Sequence, residues 1–381
     1  MQASTKLISI NRTARTFIFS ILAITAPYYL SGFEVPAVYI ALIIMMSGVV
    51  STFFVYGFSR LIIGDRLKLI LLSALLTLSL LLLITLRTLP FYILSIIIGG
   101  IPLSGKDFTN NQAIEQYSIS IVEQERRSKN VAFAIYNFGS YASAAVASGV
   151  IFLLYHGNIE FFYEICFVLS FVQFITYSTS TITFRHKDRI APIKSEAKNP
   201  DVPMLSFLFS LDSLGGGLVI TSMISLWFKI VYGVSLAQVG LIFVIVNIVT
   251  ALSIIISSAI SNRMGLVRTM VYTHIVSNVF LILIPILHSL VISEALLYLR
   301  QTTSQMDVPA RDSFVNTLIP HDQRVKANSR FVMVRNFFQI PGPAIGGAFF
   351  ELYPPLLFIS AGGVKIFYDF LFYWRYRKTN L

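Results

Sequence analysis

Several ionisable side chains lie in one stretch between two strongly apolar runs, from Leu299 to Pro320. The stretch is long enough to cross a bilayer, yet it carries four ionisable residues: Arg300, Asp307, Arg311 and Asp312. An ionisable side chain at the centre of a bilayer costs roughly 2.5–3.5 kcal/mol on insertion scales, so such residues usually face a partner or a watery cavity. The stretch is therefore predicted to form a cavity wall rather than a lipid-facing helix.

Asp307 and Arg311 are four residues apart, which places them on one face of a helix. Pro309 lies between them and has no N–H to donate, so it removes a helical hydrogen bond and makes this turn deformable. We predict that Asp307 couples a proton with Arg311 as its alternating partner, and that Asp107, 200 residues earlier, has a corresponding role. The alternative is structural ion pairing, in which a basic residue of the other half of the chain holds Asp107.

Four polar residues within apolar surroundings are predicted to line a substrate path: Lys106, Asn111, Asp212 and Arg300. Arginine binds carboxylate or phosphate with two hydrogen bonds, so an anionic substrate group is one interpretation of the two cations. The other is that each neutralises a nearby aspartate. Three consecutive glycines follow Asp212 and predict a bend in that helix.

Three more charged residues admit a local explanation. Glu115 is predicted to act as a gate, or else to form a salt bridge near the end of its span. Lys365 and Asp369 are spaced as i and i+4, and we interpret them as a structural ion pair.

The elements that must position these residues are membrane helices. Of the 381 residues, 55% are hydrophobic and 12% are charged, and the mean hydropathy is +0.74. Soluble domains carry about 25% charged residues, so this composition excludes an ordinary soluble protein. The single cysteine, Cys166, excludes a disulfide framework within the chain.

Patterns typical of enzymes and ATP-driven pumps are missing from the sequence. It has no P-loop, no nucleophile elbow and no H-E-x-x-H pair. Its histidines have no spacing that would make a metal site; they are His156, His186, His274, His288 and His321. We therefore predict no enzyme activity, no cofactor and no metal.

Runs of about 20 apolar residues are long enough to span the hydrocarbon core, and twelve such spans are predicted. They are 15–33, 36–59, 68–87, 89–118, 130–155, 160–184, 204–229, 235–260, 268–290, 293–318, 328–352 and 354–374. The first is treated as an uncleaved helix, because no convincing small-residue cleavage site follows it.

The connecting loops alternate in charge. One set, together with the terminal segments that hold Arg12 and Arg15, is rich in lysine and arginine, whereas the opposite loops hold only Arg87 and Lys229. This asymmetry predicts cytoplasmic termini by the positive-inside rule, and we expect a plasma-membrane location. It also explains the net charge of +11 without nucleic acid, since basic loops contact anionic lipid headgroups.

The two halves of the chain repeat. Paired landmarks recur at separations from 198 residues (Arg126 to Arg324) to 203 residues (Arg60 to Arg263). The prediction is an all-α protein of two pseudo-symmetric six-helix bundles, residues 1–184 and 204–381, joined by a cytoplasmic linker at 185–203. Parallel repeats of this kind put a substrate site at their interface near the bilayer midplane, and spans 4 and 10 are expected to face it.

At this point the residues resemble those of the major facilitator superfamily. The loop S-N-R-M-G-L-V-R matches the superfamily's (D/N)-R-x-G signature at Asn262, Arg263, Gly265 and Arg268. Its first-half counterpart, from Gly57 to Lys68, is degenerate. Span 11 carries G-P-A-I-G-G, beginning at Gly342 and Pro343, which resembles the G-P-x-x-G-G motif that antiporters usually carry in span 5. We predict that these motif residues act in gating.

The resemblance implies secondary active transport of a small solute by alternating access. Proton coupling is predicted from the intramembrane aspartates, and export by antiport is favoured over import by symport because of the G-P-A-I-G-G element. Import of an anionic solute and a non-transporting membrane sensor are the alternatives. The expected partners are the solute, protons and the lipid bilayer, and the chain is expected to be a monomer.

Overall fold

The protein is helical throughout the part that the structure describes. The computed structural model describes residues 2–105, 110–123, 125–180, 199–320 and 323–379, and these form α-helices with no β-strand among them. The predicted all-α membrane class is confirmed.

The helices follow one another with short connections. In the first part of the chain they are α1 (Ala3–Ser31), α2 (Ala37–Arg60), α3 (Asp65–Thr85), α4 (Leu89–Gly99), α5 (Asn110–Val122), α6 (Arg126–Leu154) and α7 (Glu160–Thr179). The remaining helices are α8 (Asp201–Leu218), α9 (Thr221–Tyr232), α10 (Leu236–Met264), α11 (Leu266–Leu283), α12 (Leu290–Ser304), α13 (Asp307–Leu318), α14 (Arg324–Gln339), α15 (Gly342–Leu352) and α16 (Leu356–Tyr376).

Nine helical stretches of the described chain are long and apolar enough to cross a membrane. The count of twelve spans stays a prediction. Each predicted span overlaps described helix, but four of them contain two shorter helices, and these four are 89–118, 204–229, 293–318 and 328–352. The first span differs in its start, because α1 begins at Ala3 rather than at residue 15.

The interruption between α12 and α13 has a covalent cause. A continuous helix would join the N–H of residue 309 to the carbonyl of Gln305, but Pro309 has no N–H. The chain therefore ends α12 at Ser304 and starts α13 at Asp307, so that Pro309 falls in the first turn, where N–H groups lack helical partners anyway. The Met306 carbonyl beside the break accepts a hydrogen bond from Ser257 Oγ of α10 at 2.5 Å.

The interruption between α14 and α15 allows two backbones to touch. A Cβ on Gly342, the first residue of α15, would lie 2.2 Å from the carbonyl carbon of Gly217 in α8. A Cβ on Gly217 would in turn lie 2.3 Å from the oxygen of Gln339, the last residue of α14. The glycine run predicted as a bend and the glycine-proline motif of span 11 therefore meet at one contact that only glycine permits.

Contacts divide the described residues into two compact units. The first unit spans 1–188 and 224–244, and the second spans 189–223 and 245–381. In the first, α1 packs on α6 and α7, and α3 packs on α4 and α7. In the second, α16 packs on α8 and α11, while α8 also packs on α14. The predicted division at 185–203 stays a prediction, and residues 185–198 of that linker lie outside the described chain.

The core of the second unit is an aromatic and aliphatic cluster shared by α8, α11, α13, α14 and α16. It includes Phe209, Met270, Phe314, Phe331 and Phe372, all of them buried. The rings of Phe314 and Phe372 make an edge contact at 5.3 Å. This packing holds the polar faces of the same helices at fixed distances from one another.

Candidate functional site

Six ionisable side chains are buried together in the second unit, on four of its helices. None of the six residues is more than 8% exposed, and they are Asp212 of α8, His274 of α11, Asp307 and Arg311 of α13, and Lys365 and Asp369 of α16. We call these six residues the charge cluster. Buried charges are tolerated when they are paired. The contacts described below show how each charge of the cluster is paired.

Asp307 and Arg311 form the pair that their spacing indicates. Arg311 Nη1 donates to Asp307 Oδ2 at 3.2 Å. The same Nη1 lies 3.9 Å from Asp212 Oδ2, so the guanidinium stands between two carboxylates from different helices. Arg311 is thus able to exchange one carboxylate for the other with a small movement. Whether either aspartate couples a proton stays a prediction.

Asp212 is the most heavily contacted member of the charge cluster. Lys365 Nζ donates to its Oδ1 at 2.7 Å. A Cβ on Gly215, one turn further along α8, would come within 2.9 Å of the Lys365 stem, so this glycine leaves the space in which the lysine crosses α8. The predicted pairing of Lys365 with Asp369 is wrong as the dominant contact: the lysine pairs with Asp212, because α8 offers a closer carboxylate than its own helix does.

Asp369 pairs instead with His274, which sequence reasoning missed. The His274 Nδ1 atom lies 2.8 and 3.0 Å from the two Asp369 oxygens. Its Nε2 atom lies 3.6 Å from Asp212 Oδ1, and its ring meets the edge of Tyr368 at 5.8 Å. Metal-ligand spacing does not single out His274; the usable signal is a histidine well inside an apolar span.

A second buried ion pair belongs to the first unit. Arg15 of α1 donates from both terminal nitrogens to the two oxygens of Glu115 in α5, at 2.7 and 2.8 Å. The hydroxyls of Tyr136 and Tyr177 donate to the same carboxylate at 2.7 and 2.5 Å. Both carboxylate oxygens of Glu115 thus accept hydrogen bonds, and the residue is fully buried. This arrangement corresponds to the predicted salt bridge. The gating role of Glu115 stays a prediction.

The predicted placement of Arg12 and Arg15 at the membrane surface is wrong. They were assigned with the basic terminal segment to the headgroup surface, but both are buried within α1. Arg12 stacks on the face of Tyr136, with its guanidinium carbon 4.1 Å from the ring centre. About three turns of helix precede the predicted start of span 1. Arg12 lies in this extension and Arg15 at its end, so α1 holds both arginines in the packed interior.

The residues predicted for the substrate path are only partly described. Asn111 is buried and lines a small cavity together with Arg15, Ser51 and Phe54. The cavity holds about 20 Å³, room for about one water molecule. Lys106 and Asp107 lie outside the described residues. The expectation that Asp107 and Asp307 face one cavity is therefore untested.

Arg300 differs from the other buried arginines of the second unit. It lies on the buried face of α12 and is 8% exposed. Its Nε has no hydrogen-bond partner, and within the described chain it makes none of the ion pairs found below 4 Å. Its neighbours on this face, Gln301 and Ser304, bond to each other at 2.5 Å.

The loop that carries the superfamily signature makes a sharp turn between α10 and α11. Gly265 has φ +82° and ψ 159°, a conformation reserved almost entirely for glycine. Asn262, Arg263 and Arg268 are exposed around it. The turn explains why a glycine is needed here, while the gating role of the loop stays a prediction.

Sequence comparison places part of this chain in a known family. Residues 205–380 match the family model of the Major Facilitator Superfamily. A curated relative, the uncharacterized membrane protein YJR124C of Saccharomyces cerevisiae, is 27% identical over 199 residues. That match covers 48% of this chain and 44% of that protein, so the chain spans less than half of the relative's length.

Structural comparison extends the likeness to the whole fold. The POT family transporter PepTSo matches with a TM-score of 0.78 at 11% identity, over 99% of this chain and 98% of that one. The nucleoside transporter NupG gives 0.72 at 16% identity, over 99% and 100%. The human organic anion transporter MFSD10 gives 0.67 at 13% identity, over 98% and 100%. At these identities the likeness shows the fold.

Proposed function

We propose that this chain, whose residues 205–380 match the family model of the Major Facilitator Superfamily, is a secondary transporter that moves a small solute by alternating access, driven by a proton gradient. The observation that carries the proposal is the charge cluster. Ionisable groups at membrane depth are rare and mark proton relays and ion pathways. The cluster contains residues from α8, α11, α13 and α16. A change in the protonation of the cluster would therefore alter the contacts between these helices.

In this proposal Arg311 is the element that moves. It lies between Asp307 and Asp212 at 3.2 and 3.9 Å. While Arg311 is close to Asp307, that carboxylate stays ionised; once the arginine is drawn towards Asp212, desolvation favours the protonated acid. The break at Gln305 gives α13 freedom to shift. We therefore assign Asp212 to coupling as well as to the substrate path, and Asp107 is kept as a further coupling residue.

The remaining predicted roles enter the proposal unchanged. Lys106, Asn111 and Arg300 are assigned to the substrate path. The gating group comprises Glu115, Asn262, Arg263, Gly265, Arg268, Gly342 and Pro343. Export by antiport is the favoured direction, and symport is the rival.

The test uses purified protein in liposomes and a solute chosen by a thermal-shift screen, since a ligand of the native state raises its melting temperature. One pH unit is worth about 1.36 kcal/mol per proton, enough for about tenfold accumulation with one proton. Asp307→Asn is expected to bring the accumulation ratio down to about 1, while solute exchange continues. Antiport accumulates solute in vesicles that are acidic inside, and symport in vesicles that are alkaline inside.

Asp312→Asn is the matched control, because Asp312 lies on the same helix but is exposed. It should keep accumulation. If Asp307→Asn still accumulates solute with the pH dependence of the wild type, Asp307 is a structural charge and Asp107 inherits the role. Binding without any exchange across the membrane would favour the sensor.

A second candidate, transport of an anionic solute, is favoured by Arg300. A buried guanidinium without a counter-charge is strongly destabilising, and its planar fork fits a carboxylate or phosphate. The solved relative MFSD10 is described as an organic anion transporter. An anionic group of the solute would supply the counter-charge that the described residues do not provide.

A matched pair of probes tests the anion. Benzoate should raise the melting temperature of the wild-type protein more than neutral benzamide does, and Arg300→Gln should abolish the difference. At 100 times Kd a ligand adds about 2.7 kcal/mol. If benzoate has no advantage and Asp107→Asn restores the stability that Arg300→Gln loses, Arg300 is the structural partner of Asp107 instead.

A further inference from the structure

We infer that His274 is a protonation site, holding a proton as an imidazolium between Asp369 and Asp212. That this proton is one of those exchanged during transport rests on the proposed function. Neither the superfamily signature nor any residue assigned above to coupling includes this histidine. It is buried within the second unit.

The two ring nitrogens both face carboxylates. Nδ1 lies 2.8 Å from one Asp369 oxygen, and Nε2 lies 3.6 Å from Asp212 Oδ1. A neutral imidazole has one N–H and one lone pair, so one of its nitrogens would direct a lone pair at a carboxylate. An imidazolium has a donor on each nitrogen and fits both neighbours. The 3.6 Å distance is an ion-pair separation rather than a hydrogen bond.

The charges of the cluster balance only when His274 is protonated. Its three carboxylates carry three negative charges, against two positive charges on Arg311 and Lys365. The imidazolium supplies the third positive charge. Without it, one unbalanced negative charge stays buried, which is costly in a low dielectric.

The other groups around His274 do not change this balance. Arg335 of α14 interacts with Asp212, Asp307 and Asp312, and Arg335 and Asp312 together add one charge of each sign. Tyr368 of α16 presents a ring edge at 5.8 Å. Asn278, one turn along α11, donates to Asp369 Oδ2 at 3.4 Å. From α8, Asp212 is the charged group that faces the ring.

The same contacts explain how the proton would be released. Asp212 Oδ1 already accepts from Lys365 at 2.7 Å, and Arg311 lies 3.9 Å from Oδ2. If Arg311 leaves Asp307 and moves fully onto Asp212, the negative charge that faces Nε2 is offset by the arginine. His274 then gives up a proton while Asp307 takes one. If His274 releases its proton to one side of the membrane and Asp307 takes one up from the other, the two steps together carry one proton across, and the net charge of the cluster stays constant.

The experiment measures the ring nitrogens directly, by nitrogen-15 NMR of histidine-labelled full-length protein in lipid bilayers. The His274 signals are identified by their loss in His274→Gln and their persistence in His156→Gln. At about pH 7.5 an ordinary imidazole is about nine-tenths neutral. We expect both nitrogens of His274 to be protonated there, and Asp369→Asn to leave only one protonated.

Further measurements keep the outcome decisive. If Asp369→Asn does not fold, Lys365→Met removes a competing cation and should shift the His274 titration to higher pH. One protonated nitrogen at about pH 7.5 in the wild type overturns the site.

In liposomes, His274→Gln should flatten the pH profile of solute exchange between about pH 6 and 8. If the imidazolium is present but the profile is unchanged, its part in coupling is refuted while the proposed function stands. If the wild type moves no solute at all, the proposed function fails and NMR still decides the site.

Discussion

Replacing Glu115 with glutamine is expected to lower the free energy of unfolding by about 3–5 kcal/mol, the usual effect of removing one partner from a buried ion pair. Arg15 donates to Glu115 from two nitrogens, and neither residue is more than 1% exposed. The glutamine keeps the shape but removes the negative charge that Glu115 places against the buried guanidinium of Arg15. The measurement is the unfolding midpoint of the purified protein in detergent.

Glu160→Gln is the matched control. Glu160 pairs with Arg87 at 3.9 Å, with side chains that are 27% and 53% exposed, so the loss there should be at most about 1 kcal/mol. The double variant Arg15→Met with Glu115→Gln buries no unpaired charge and should recover part of the stability. If Glu115→Gln is no more destabilising than Glu160→Gln, the pair is not maintained in the native protein, which would favour the gating role of Glu115.

Gly342→Ala is expected to destabilise the second unit by about 3 kcal/mol or more, at or beyond the upper end of ordinary overpacking. The new methyl group would lie 2.2 Å from the carbonyl carbon of Gly217. Backbone atoms of a packed helix cannot rotate away as a side chain can, so α8 and α15 would have to separate. The melting temperature in detergent and the yield of folded protein measure the effect.

Gly363→Ala controls for the loss of a helical glycine, because nothing lies within 4 Å of the added Cβ in α16. It should be neutral or stabilising by up to about 1 kcal/mol. Should Gly342→Ala unfold like the wild type, the contact between Gly217 and Gly342 is not held in the native state. A folded variant that has lost solute exchange would show that transport needs this contact to close, as the predicted gating role of Gly342 requires.

The sequence by itself determined what depends on local spacing and on composition. The apolar runs predicted a helical membrane protein, and the signature around Gly265 predicted the superfamily. The i, i+4 spacing of Asp307 and Arg311 predicted that they share a helix face, because a helix fixes which residues are neighbours along it. Pro309 predicted a deformable turn. The helix is interrupted beside it because Pro309 has no N–H to donate to a helical hydrogen bond.

The tertiary structure decided which of these faces meet. Lys365 and Asp369 share a helix face too, yet Lys365 pairs with Asp212, 153 residues away, and Asp369 with His274, 95 residues away. Arg15 had the composition of a basic terminus, but its partner is Glu115, 100 residues along the chain. Local spacing offers each charge several partners of similar energy. The packing of whole helices brings one of these partners close. A buried charge then depends on that partner, because no water is present to solvate it instead.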